Sequence, residues 1–219
     1  TKYLIKTFAI LWKMKKYIII IFLMISGTVI SCSRKDTKDE AVFPEDEFSD
    51  GDLAFRRGMG ILSRVVLAAD EKGVFSHVGI LKQIDGKWYV VHAVPDELEF
   101  EGDVDRVKIE PLSKFYAFDK ASRGAIMRYD GDTASVHRAA EHAVEIAKRG
   151  TLFDHDYNLD DTTKMYCTEM VNFVYAESGI DLSEGRRTVA HIPALGGIYI
   201  MPGDISGNKK LELIYQFIR

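Results

Sequence analysis

"SHVGILKQIDGKWYVVHAV", Ser76 to Val94, contains two runs of alternating branched and aromatic residues separated by Asp85 and Gly86. An Asp-Gly pair between such runs favours a type I′ turn, whose two central residues take positive φ and whose twist matches the flanking strands. With Asp85 and Gly86 as the turn, Gly79 lies opposite His92 and His77 opposite Val94. The two histidines then share one face as diagonal neighbours, a relation that sets Cβ atoms about 7 to 8 Å apart or somewhat less. That is within reach of a ring-to-ring hydrogen bond. Gly79, lacking a side chain, leaves room directly across from His92. One imidazole can then fix the tautomer and orientation of the other.

Other strands are expected at Asp52 to Arg57, near Val104 to Ile109, in "GAIMRY" (124–129) and in "LELIYQFI" (211–218). Between them fall helical patterns. "GILSRVVLAAD" (60–70) places Ile61, Leu62, Val65, Val66 and Ala69 on one face. A helical turn is expected from Pro111 through Phe118. Thr133 to Gly150 forms another helix, with Thr133 or Ser135 as its cap and Gly150 as its stop. The chain after Gly179, with Pro193, Pro202 and several glycines, reads as mostly loop before the last strand. Strands clustered between separate helices imply an α+β fold with an antiparallel sheet and not an alternating parallel one.

"KMYCTEMVNFVY" (164–175) sets one of the chain's two cysteines at the front of an amphipathic helix. With "DDTT" (160–163) as the capping stretch, Cys167 falls in the first turn, where free N–H groups and the positive dipole end favour a thiolate. Such sites depress a thiol pKa from about 8.5 to between roughly 3.5 and 7.5. The same N–H groups can receive an oxyanion. Cysteine, histidine and an orienting third group are the components of nucleophilic acyl transfer. A buried core cysteine and hydrogen-bonded strand histidines are the alternative, since free Cys is among the most buried residue types.

The amino-terminal region has a different character. Lys2, Lys6, Lys13, Lys15 and Lys16 precede the uncharged run "YIIIIFLMISGTVIS" (17–31), the pattern of an export signal, with Met14 as the expected start. The signal, residues 1–31, ends in "VISC" (29–32), which resembles a lipoprotein box with Cys32 as the acylated residue. Residues 32–50 are polar without an apolar period and read as a tether, so the folded domain is expected over 51–219. One such domain suits the 219-residue length, and a composition of 47% hydrophobic and 28% charged residues is that of a globular chain.

Residues 1–31 hold 5 of the 29 basic residues and no acid, leaving 24 bases against 33 acids, a formal charge of −9. Nucleic acid is therefore not an expected partner, because phosphate binding needs a basic stripe. With Cys32 acylated, Cys167 has no disulfide partner in an exported protein, which calls for another reason for its presence.

No metal or other cofactor is expected. "DHDYNLD" (154–160) alternates oxygen ligands like a calcium loop, but Leu159 stands where the turn glycine belongs and Met165 where the closing glutamate belongs. His137 and His142 are spaced too far apart to share a helical face.

"DGDLAF" (50–55), "FSHVGIL" (75–81) and "VVHA" (90–93) resemble segments of the NlpC-type papain-like cysteine peptidases, in which a cysteine helix comes first. Here it comes last, as in the circularly permuted, YiiX-like branch, to which "GTLFDHDYNLDDTTKMYCTEMV" (150–171) and "ESGIDL" (177–182) are also similar. The resemblance implies a papain-like fold with an antiparallel sheet packed against the cysteine helix. It makes Cys167 the nucleophile, His77 the base and His92 the third, polar member. Some permuted members carry an acid at that third position. Tyr166 and Glu169, flanking Cys167, and Arg56, near the start of the sheet, are the expected supporting or substrate-binding residues.

Three functions follow from that reading. The first is an envelope cysteine amidase or peptidase on peptidoglycan-type peptides, preferred on the match to peptidoglycan-cleaving relatives. The second is a lipid or N-acyl hydrolase or acyltransferase, favoured by an apolar groove beside Cys167. The third is a non-catalytic binding module. The implied partners are a peptide or acyl-amide substrate and a membrane reached through Cys32.

Overall fold

The computed structural model describes residues 42–192 and 195–219. The expected signal, Cys32 and most of the tether lie outside the described residues. The end of that tether does not behave as a solvated linker. Phe48 is buried edge-on against Trp88, whose indole N–H donates to the Glu45 carbonyl. Phe43 packs in the same cluster, so the folded body takes in residues from about Phe43 rather than Gly51.

The strands are β1 (Leu53–Gly58), β2 (His77–Ile84), β3 (Lys87–Val94), β4 (Arg106–Pro111), β5 (Ala121–Tyr129), β6 (Leu152–Phe153), β7 (Lys164–Met165), β8 (Thr188–Ile192), β9 (Leu195–Tyr199) and β10 (Leu211–Ile218). The helices are α1 (Ile61–Ala69), α2 (Leu112–Phe115), α3 (Thr133–Lys148), α4 (Cys167–Glu177) and α5 (Pro202–Ser206). Eight strands form one sheet in the order β10-β5-β1-β2-β3-β4-β6-β7, antiparallel except for the short β6–β7 pair. The architecture is α+β, as the clustering of strands implies.

The β2–β3 hairpin has the expected register, from Ile84 paired with Lys87 to Ile80 paired with Val91. Asp85 and Gly86 both have positive φ, as a type I′ turn requires. One sheet face, with Phe55, Val78, Ile80, Val91 and Val107, packs on α3 and α4 through residues such as Ala140, Met170 and Val174. The other face, with Ala54, Leu81 and Val90, is covered by α2 through Leu112 and Phe115.

Three local expectations need correction. Asp132, not Thr133 or Ser135, caps α3, its carboxylate accepting the Ser135 N–H at 2.9 Å. "DDTT" does not cap α4, because Asp161 is taken up by a turn with Thr163. Instead Glu169 reaches back to the Tyr166 N–H at 3.2 Å. The stretch read as loop contains the β8–β9 hairpin and α5. Ala190 and Tyr199 on the hairpin's inner side pack with Val65, Val66 and Ala69 of α1, so tertiary contact forms strands where Pro193, Gly196 and Gly197 blur the local pattern.

Candidate active site

The first residue of β2 is His77, and its Nε2 lies 2.8 Å from His92 Nδ1. The close approach depends on Gly79. A Cβ there would sit 2.9 Å from the Cβ of His92 and 2.8 Å from the Val91 carbonyl oxygen. Both rings pack against Phe115, with centroids 5.8 and 5.1 Å away, and the Arg56 guanidinium lies 4.6 Å from the same ring. The histidines thus occupy the α2 side of the sheet, opposite the side covered by α4.

Cys167 lies near Val78, at the start of β2. It is the first residue of α4, and the backbone N–H groups of Val78, Thr168 and Cys167 itself are near enough to its sulfur to favour the thiolate. Its side chain is partly exposed to a cavity of about 430 Å³ that His77 also lines. The backbone of Ile200 is held at this turn from two sides. Its N–H donates to the Tyr166 hydroxyl at 3.2 Å, and its carbonyl accepts from Thr168 Oγ1 at 2.6 Å.

The protonation state of Cys167 differs from the expected thiolate. Burial pushes the Cys167 thiol up to about 11, against the lowering effect of the three N–H groups and Arg56. Burial likewise takes His77 well below its ordinary value, helped by Arg56, His92, Lys120 and Lys108. His92 is brought down to about 4 by burial, although Glu110 pulls it the other way. At neutral pH the resting site therefore holds a neutral thiol beside two neutral imidazoles. Desolvation outweighs the helix end here, because it disfavours every charged form at once.

Of the expected supporting residues, Tyr166 and Arg56 line the cavity. Glu169 does not. It is buried as the cap of α4, and burial raises its carboxyl to about 8. Arg56 is not free to receive a substrate carboxylate, because it pairs with Glu97 and donates to the Phe115 carbonyl at 3.0 Å. Arg57 and Arg64 are exposed and outside the cavity lining.

Sequence reasoning missed Glu110. This carboxylate is fully buried, with Oε2 at 3.3 Å from His92 Nε2 and Oε1 at 2.8 Å from Lys120 and 3.2 Å from Lys114. The available signal was the alternation of "RVKIEP" (106–111), where Val107 and Ile109 point one way and Lys108 and Glu110 the other.

The calcium-like loop spends its first ligand internally, since Asp154 accepts the N–H groups of Asp156 and Asn158 at 2.9 and 2.5 Å. Among the described residues no three His, Cys, Asp or Glu side chains are grouped to hold a metal ion.

Comparison with known proteins places this arrangement. A family model described as "Permuted papain-like amidase enzyme, YaeF/YiiX, C92 family" matches residues 47–192. Among solved structures the fold is similar to that of the metalloprotein yiiX from Escherichia coli O157:H7, with a TM-score of 0.64 and 18% identity over 79% of this chain and 99% of that one. No curated protein matched. A histidine hairpin that precedes its cysteine helix, on a fold shared with yiiX and under a family match covering most of the folded body, makes this chain a member of the permuted papain-like amidases of the YaeF/YiiX type, the C92 family.

Proposed function

We propose that the protein is a thiol amidase of the bacterial cell envelope that cleaves amides with an apolar acyl part through a thioester on Cys167. The observation that carries this reading is the cavity itself. Cys167 and His77 open into a lining that includes Met59, Ile61, Leu62, Val66, Tyr157 and Met201.

In the proposed reaction His77 accepts the thiol proton as the sulfur attacks the carbonyl carbon. The N–H groups of the first turn of α4 stand beside the developing oxyanion. Collapse expels the amine, which takes the proton back from His77, and leaves an acyl-thioester. Water activated by His77 then releases the acid and restores the thiol.

The lining moves the preference from peptidoglycan peptides to N-acyl amides. A stem peptide presents carboxylates, and the two cations in the lining, Arg56 and Lys120, are both paired with Glu97. Purified protein should therefore hydrolyse N-acyl amides with kcat/KM rising about threefold to fourfold per added methylene while the chain remains within the cavity, from about 0.8 kcal/mol per buried CH₂. Product mass after parallel incubation with acyl amides and with peptidoglycan fragments checks this. Cleavage of the fragments alone would return the reading to a peptidase.

Anchoring at Cys32 belongs to the same proposal and would bring an apolar-acyl enzyme to its substrate's own phase. Intact mass of the native protein should show a mature chain beginning at an acylated Cys32. An unmodified amino terminus at another residue would refute the anchor and leave the chemistry standing.

A further inference from the structure

We infer that Glu110 is a positioning residue that sets the tautomers of both histidines and so makes His77 Nδ1 the basic atom of the site. This rests on the proposal that Cys167 and His77 are nucleophile and base.

The hydrogens of the site run along a chain of buried groups. Glu110 and His92 are fully buried, and among the described residues neither His92 Nε2 nor Glu110 Oε2 has a hydrogen-bond partner, which leaves the two atoms to satisfy each other. The two atoms face each other at 3.3 Å. Glu110 is ionised: burial alone would push its carboxyl up, but His92 and Lys120 more than offset that and hold it well below the usual carboxylate range. An ionised carboxylate only accepts hydrogen bonds, so His92 must carry its proton on Nε2. As a neutral ring it then has an unprotonated Nδ1, which accepts from His77 Nε2 across 2.8 Å. His77, also neutral, is left with its lone pair on Nδ1.

The other charged groups around this chain are balanced against one another. Arg56 lies on β1, Lys108 opposite His92 on β4, Lys114 on α2 and Lys120 just before β5, with Glu97 and Glu99 from the loop after β3. Glu97 pairs with Arg56, Lys108 and Lys120, and Glu99 pairs with Lys114. Of these groups, Glu110 is the carboxylate that lies against the ring of His92. Its replacement by Gln keeps the shape, removes the charge and lets the amide present either a donor or an acceptor to His92.

Nitrogen NMR of the imidazoles in the substrate-free full chain reads the tautomers directly, without reference to activity. The wild type should show Nε2-protonated, Nδ1-free rings at both positions. In Glu110→Gln a second tautomer should appear at both rings, and kcat should fall about 10- to 100-fold with KM changed less than twofold, the size typical of groups that orient a functional ligand from behind. Glu110→Asp, which keeps the charge, should retain the wild-type tautomers. A wild-type His77 protonated on Nδ1 would overturn the inference even if no variant folds, as would a Glu110→Gln protein with unchanged tautomers and kcat. Correct tautomers in a protein inactive on every amide would instead uphold the inference and refute the proposed function.

Discussion

His77→Ala should lower kcat/KM on an acyl amide by about 10⁴-fold or more, the scale of loss when a member of a nucleophile–base unit is removed. Cys167→Ala should lower it at least as far, and the double variant should lose little beyond the worse single one, because each group is useless without the other. The thiol's environment makes the dependence on His77 strong. With its pKa raised to about 11, only about one thiol in 10⁴ is ionised at pH 7. Attack therefore needs a base at the moment of reaction, not a pre-formed thiolate.

Two pH measurements follow from the same shifts. Alkylation of Cys167 should rise with pH toward a midpoint near 11, above that of a free cysteine. The acid limb of kcat/KM should lie below the ordinary histidine value of 6.5, since His77 is lowered and stays an unprotonated base down to more acidic pH. An alkylation midpoint below 8 would show a thiolate resting state and undo this account of the base.

Phe115→Ala should destabilise the fold by about 3 to 5 kcal/mol, as expected when a fully buried aromatic ring is deleted and its cavity only partly collapses. At about 2 to 4 °C per kcal/mol, calorimetry should find Tm lowered by roughly 6 to 20 °C. The ring also lies edge to face with Tyr116 at 4.9 Å and forms the wall behind both histidines. Its loss should therefore lower kcat more than it raises KM, whereas Phe115→Leu should restore most of the stability. A Tm change under 2 °C would mean that α2 repacks and that the ring does not hold the site.

The histidine half of the site was legible because its information is local. Asp85 and Gly86 determine the turn, the turn determines the register, and the register places His77 beside His92 with Gly79 opposite. The position of Cys167 at a helix start was legible for the same reason. Its ionisation was not, since burial depends on where α4 docks, and no local pattern states that. Glu110 was hidden by a reasonable rule. One face of an alternating strand is usually polar because it meets water, whereas here the polar face of β4 meets His92, Lys120 and α2. The hairpin of β8 and β9 was hidden for the opposite reason, because its sequence is poor in local strand signals and its conformation is imposed by α1.

The permuted order also has a consequence for the chain as it is made. Strands β1 to β5, both histidines and Glu110 are complete by Tyr129, while Cys167 is added 75 residues after His92. At about 5 to 20 residues per second, that interval is roughly 4 to 15 s. The scaffold that will hold the base is thus synthesised before the reactive sulfur exists. A chain interrupted anywhere between Tyr129 and Tyr166 carries the acid–base apparatus without Cys167, the sulfur it is placed to activate.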